Sequence, residues 1–99
     1  MAANLILDPD AELEFERAYD WYEARQTGLG DRFAVAVEAV FRRICASPRM
    51  HQMVYGTARR AVVPKWPFVV IYDEDGSDVY VYAVYHTSRD PSGWQSRIP

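Results

Sequence analysis

The sequence predicts an α+β fold, β-α-α-β-β-β, with an N-terminal strand and a helical hairpin packed on an antiparallel sheet. Three observations predict it. Residues 8–46 carry apolar positions at helical spacing. Residues 60–86 change to short β-branched and aromatic runs. The helical segments come together and ahead of most of the strands, rather than alternating with them.

The elements follow in order. Asn4 to Leu7 is a short apolar run read as an edge strand. Asp8 is placed to cap a helix, with Pro9 at its first position and Asp10 and Glu12 in its first turn. This helix runs to about Arg25, and Ala11, Phe15, Ala18 and Tyr22 form its inner stripe. Gly28 and Gly30 supply the turn. A second helix spans Asp31 to Ala46, with Phe33, Val37, Val40, Phe41 and Ile44 inward, and Ser47-Pro48 ends it. Residues 49–58 read as irregular. Arg60 to Val63 is a strand, Pro64-Lys65-Trp66-Pro67 a tight connection, and Phe68 to Tyr72 a central strand. Asp73 to Asp78 is a turn. In the strand Val79 to His86, alternation sends Val79, Val81, Ala83 and Tyr85 to one face and Tyr80, Tyr82, Val84 and His86 to the other. A polar tail, Thr87 to Pro99, follows. The sheet face away from the helices is expected to be open and concave.

Composition narrows the function classes. The 99 residues fit one domain, 1–99, and 49% hydrophobic content supplies a core. A net charge of −3 disfavours broad, nonspecific nucleic-acid binding, although six cations between Arg42 and Lys65 allow a local basic patch. The lone cysteine, Cys45, cannot form an intrachain disulfide; a reducing, cytoplasmic setting fits, with Cys45 read as a buried helix residue. Residues 1–7 do not read as a signal peptide, and no stretch approaches the roughly 20 apolar residues of a membrane span.

No phosphate-binding glycine loop, dinucleotide fingerprint, zinc-ligand spacing or nucleophile elbow is present, so no cofactor and no metal site are expected. The candidates for chemistry are few. Arg59 and Arg60 alternate across a strand, so one can reach the open face; guanidinium forks suit phosphate and carboxylate. The same pair reads on chemistry alone as solvated arginines at a sheet edge. His86, Arg89 and Trp94 stand where the last strand leaves the sheet. His86 can act as acid, base or donor, Arg89 can hold an anion, and Trp94 can stack or fill a partner's pocket. They read equally well as local architecture, with Trp94 anchoring the tail. The aromatic content, 14%, exceeds what one small core hides, so some tyrosines and tryptophans are expected at an interface.

Taken together these segments resemble the RelE/ParE superfamily of bacterial type II toxins, also called plasmid stabilisation proteins. The resemblance runs through Ala18-Tyr19-Asp20-Trp21-Tyr22, Gly30-Asp31-Arg32-Phe33, Ile44 with Ser47-Pro48, Arg59-Arg60, Pro67 to Tyr72, Ala83 to His86, Arg89-Asp90-Pro91 and Trp94. It implies a toxin of a toxin–antitoxin system, a cognate antitoxin protein that folds around it, and a toxin–antitoxin hetero-oligomer. One branch of the superfamily poisons DNA gyrase by binding, and the other cleaves mRNA in the ribosome. Val69 follows Phe68 where the nucleases often carry arginine, and their lysine cluster is missing. The resemblance therefore points first to a gyrase-binding toxin, with Arg59, Arg60, His86, Arg89 and Trp94 as contact residues. The nuclease alternative would use His86 as acid or base and Arg60 or Arg89 on the phosphate. A nontoxic binding module of the same fold is the third reading.

Overall fold

The computed structural model describes residues 3–99. In chain order the elements are β1 (Asn4–Leu7), α1 (Pro9–Arg25), α2 (Leu29–Ala46), β2 (Gln52–Tyr55), β3 (Ala58–Val63), β4 (Phe68–Glu74), β5 (Asp78–His86) and α3 (Ser92–Gln95). The α+β class and the helical hairpin on a sheet are as the sequence predicts. The details differ at the edges.

Asp8 caps α1: its Oδ1 accepts the N–H of Asp10 at 2.9 Å. The hairpin turn is stapled from α1, because the two Glu23 carboxylate oxygens accept the N–H groups of Gly28 and Gly30, at 2.8 and 2.9 Å. That carboxylate satisfies orphan donors at the start of α2 and complements its dipole, so the helix begins at Leu29, before Asp31. At Gly30 a Cβ would fall 2.7 Å from the Tyr19 carbonyl oxygen, so the two helices meet there backbone to backbone.

The sheet has five strands in the order β1-β5-β4-β3-β2. Its hairpin-linked pairs are antiparallel, while β1 lies parallel to β5, with Asn4 opposite Asp78 and Leu7 opposite Val81. The segment 49–58, expected to be irregular, contains β2 and its turn into β3. Arg59 holds this stretch, its Nη1 donating to the His51 carbonyl at 2.7 Å and the Arg49 carbonyl at 3.2 Å.

The main core lies between the helices and one sheet face. Phe33, Val37, Val40 and Ile44 are fully buried there against Val63, Val70, Tyr72, Val79 and Val81. Phe33, Tyr22, Trp66 and Phe68 close one end with edge-on ring contacts. Cys45 is buried in this core, and burial raises its thiol pKa.

Two features correct the expected open face. First, the register between β4 and β5 shifts, from Ile71↔Ala83 to Tyr72↔Val81, leaving Tyr82 as an extra residue. The bulge reverses the alternation after it. Val79, Val81 and Val84 face the helices, and Tyr82, Ala83 and Tyr85 join a second cluster on the opposite face. Second, the tail is not simply polar. It forms α3, and Trp94, 7% exposed, packs with Ala58, Val69, Ile71 and Tyr85. Part of the far face is therefore covered by the chain itself.

Candidate functional site

The site begins with an incomplete edge. β1 pairs with β5 only as far as Val81, so the outer edge of β5 beyond it has no neighbouring strand. Backbone groups at such an edge need other partners. Glu14 Oε1 accepts the N–H of Val84 at 3.2 Å, and Arg97 Nη1 donates to the carbonyl of Tyr82 at 2.9 Å. The two side chains also bind each other twice, at 3.0 Å (Nη1–Oε1) and 2.8 Å (Nη2–Oε2). This fork is a charge-assisted clamp between α1, the tail and the edge of β5. Its hydrogen bonds to Glu14 raise the Arg97 pKa above its ordinary value.

Beside the clamp runs a groove of about 520 Å³, walled by α1 on one side and by the end of β5 and the tail on the other. Residues 10, 13, 14, 17, 18, 21 and 22 line it, a stripe at spacings of three and four along α1. Leu13 and Trp21 remain 40% and 52% exposed. The Arg25 guanidinium carbon lies 3.3 Å from the Trp21 ring centroid. Phe68 and Tyr22 extend the apolar surface, and Arg17, His86 and Arg89 add polar groups to it.

His86 enters this groove because the bulge turns it, with Val84, to the helix side of the sheet; its ring lies 5.2 Å from that of Phe68. Its Nδ1 accepts the N–H of Ser88 at 3.1 Å and lies 2.7 Å from the Ser88 hydroxyl. The backbone donor leaves the neutral ring's proton on Nε2. No carboxylate bonds to His86 among the described residues. Arg89 lines the same groove, and its guanidinium carbon lies 5.3 Å from the Tyr85 ring centroid.

The structure thus brings together His86 and Arg89, but not the other predicted site residues. Arg60 lies opposite Ile71, on the sheet face away from the helices, so it cannot share a reacting atom with His86. Arg59 is turned to the carbonyls of Arg49 and His51, which its Nη1 holds. Trp94 is an anchor of the second cluster, edge-on to Tyr55 at 6.2 Å. The expected single display of cationic and aromatic groups on one open face is corrected on these points, because the bulge and the returning tail redistribute them. The α1 wall was missed. Its signal was present: Leu13 and Trp21 interrupt an otherwise charged helix face.

Among the described residues no cluster of three or more His, Cys, Asp or Glu is placed to hold a metal ion. No described helix is long and apolar enough to cross a membrane.

A helical hairpin on a five-stranded sheet, with an apolar, cation-edged groove at its margin, is the α+β frame of this chain. The chain matches the family described as ParE toxin of type II toxin-antitoxin system, parDE, over residues 5–91, and it belongs to that family. Among solved structures it is similar to a chain of the "Chromosomal ParDE TA system from P. aeruginosa". The TM-score is 0.64 at 14% identity, covering 88% of this chain and 98% of that one; the likeness is one of fold. No curated protein matches the chain.

Proposed function

We propose that this ParE-family chain acts by binding rather than by hydrolysis, with DNA gyrase as its target, and that a cognate antitoxin neutralises it in the cytoplasm by occupying the groove between α1 and β5. The observation that carries the reading is the dispersal of the groups a nuclease would need. Cleavage through a 2′-hydroxyl calls for an acid–base pair and cations converging on one phosphate. His86 is bonded to Ser88 alone among the described residues, and Arg60 lies across the sheet from it. The groove instead has the make-up of a protein interface: an exposed tryptophan, apolar neighbours and arginines. A helical antitoxin segment would set its apolar stripe on Leu13 and Trp21 and its acidic side chains against Arg17 and Arg89.

The nuclease alternative keeps one supporting observation, the shared position of His86 and Arg89 in the groove. Three measurements separate the readings. Purified chain should abolish supercoiling by gyrase, and added antitoxin should restore it. Primer extension on cellular mRNA should show no new in-frame cuts; cuts that vanish in His86→Ala would establish the nuclease instead. Induced expression should arrest growth, whereas undisturbed growth would leave only a nontoxic binding module.

A further inference from the structure

On the far side of the sheet from the helical hairpin lies a second concavity, of about 470 Å³. Thr57, Asp73, Asp75, Asp78, Tyr80 and Tyr82 line it. Strand alternation puts Tyr80 and Tyr82 on this face, with ring centroids 5.0 Å apart. Most polar groups around it are already committed. Tyr80 donates to Asp8 Oδ2 at 2.8 Å. Asp73 accepts the Thr57 hydroxyl on one oxygen and the N–H of Glu74 on the other. Asp75 Oδ1 accepts the N–H of Asp78 at 3.0 Å.

Tyr82 differs. It keeps only 8% of its surface, yet its hydroxyl has no hydrogen-bond partner among the described residues. No buried side-chain oxygen or nitrogen is unpaired among them, so the exposed remnant of Tyr82 includes that hydroxyl, at the wall of the concavity. Burial, followed by the charges of Asp73 and Asp8, raises its pKa, so it stays protonated and neutral. The carboxylates outnumber the cations here. With Glu74 matched by Arg49 at 3.0 Å, the carboxylates of Asp73, Asp75 and Asp78 face one lining cation, Arg59, whose Nη1 is held by two backbone carbonyls.

We propose that this concavity receives an arginine side chain from a basic segment of a partner protein. A guanidinium fits each feature present. Its planar face stacks on tyrosine, and its fork donates to a carboxylate and to an unpaired phenol oxygen. A phosphate-bearing partner is repelled by the carboxylates. The site lies across the sheet from the α1–β5 groove, so the chain can hold an acidic segment on one side and a basic one on the other. This goes beyond the proposed function and does not depend on the identity of the target.

The test is a titration of the ¹⁵N-labelled full chain with acetylated tetra-arginine amide at low salt, followed by NMR. Shifts should concentrate at Thr57, Asp73, Asp78, Tyr80 and Tyr82. The double variant Asp75→Asn, Asp78→Asn should weaken binding by about tenfold, the loss of a charge-assisted hydrogen bond. Tyr82→Phe, which keeps the ring and the fold, should weaken it by a smaller factor. Glu12→Gln with Glu16→Gln, acids on α1, should leave it unchanged. Shifts spread evenly over α1 and the concavity, or unaltered binding in the Asp75/Asp78 variant, would overturn the site. Equal binding of tetra-lysine amide would overturn its assignment to arginine.

Discussion

Tyr72 and His51 join the end of α2 to the sheet through one short chain of hydrogen bonds. The Tyr72 hydroxyl donates to the Pro48 carbonyl at 2.6 Å, and His51 Nδ1 lies 3.1 Å from that hydroxyl. Burial pushes the Tyr72 pKa up to about 12, so the phenol remains a donor at all ordinary pH. Because its proton goes to Pro48, His51 must donate from Nδ1. Burial, then the charges of Arg43 and Arg59, hold the His51 pKa below its ordinary 6.5. The unfolded chain therefore takes up the proton first as pH falls. Stability from this group is whole above about pH 6.5 and is lost as pH drops through the lower native value. Thermal melts from pH 7.5 to 5 should show this loss, and His51→Gln should reduce the slope. The Glu14–Arg97 clamp gives a second prediction at this scale. Arg97→Ala leaves Glu14 half-buried and the Tyr82 carbonyl without its donor, and urea unfolding should record a loss of about 2 kcal/mol.

At the scale of elements, α3 is anchored by Trp94 and meets β5 at one close contact. The Tyr85 hydroxyl donates to the Asp90 carbonyl at 2.7 Å, and a Cβ at Gly93 would fall 2.2 Å from that same hydroxyl oxygen. Gly93→Ala should displace either Tyr85 or the helix, costing about 1–3 kcal/mol in a denaturant melt. Native-state hydrogen exchange should quicken in β3 and β4 beneath Trp94, where the displaced helix no longer covers them. What was legible in the sequence follows the same physics. The stripes of α1 and α2 carry their own period, and Asp8-Pro9 announces a helix start without help from the rest of the chain. β2 did not announce itself, because Gln52, Met53, Val54 and Tyr55 form a mostly exposed edge with no alternation of burial. The bulge at Tyr82 left a faint mark: aliphatic and aromatic residues alternate from Val79 to Ala83, Val84 breaks the pattern, and Tyr85 resumes it in the opposite phase, while pairing with β4 shows where the extra residue falls. That single residue decides which faces Val84, Tyr85 and His86 occupy relative to Tyr80 and Tyr82, so the element was readable and its later facing was not. Trp94 was legible as a possible tail anchor, while its cover over the far face depends on contacts from three strands.

At the scale of the whole molecule, the two sheet faces are unequal. One is closed by the hairpin, which leaves the groove at its margin; the other is closed in part by the tail, which leaves the acidic hollow. Trp21 tests the first without disturbing the core, since its ring is more than half exposed. Trp21→Ala should weaken the antitoxin complex by about tenfold or more in a binding titration, while the melting temperature of the free chain shifts little.

The parallel pairing of β1 with β5 sets an order of events during synthesis. Asn4 cannot meet Asp78, nor Leu7 meet Val81, until the last strand has cleared the ribosome. The nascent chain therefore holds its first strand unsatisfied until Val81 has emerged, and this closure of the sheet joins segments far apart in the sequence. The α1 wall of the groove is therefore made before the β5 wall that completes it, and a partner that needs both walls can bind only after this closure.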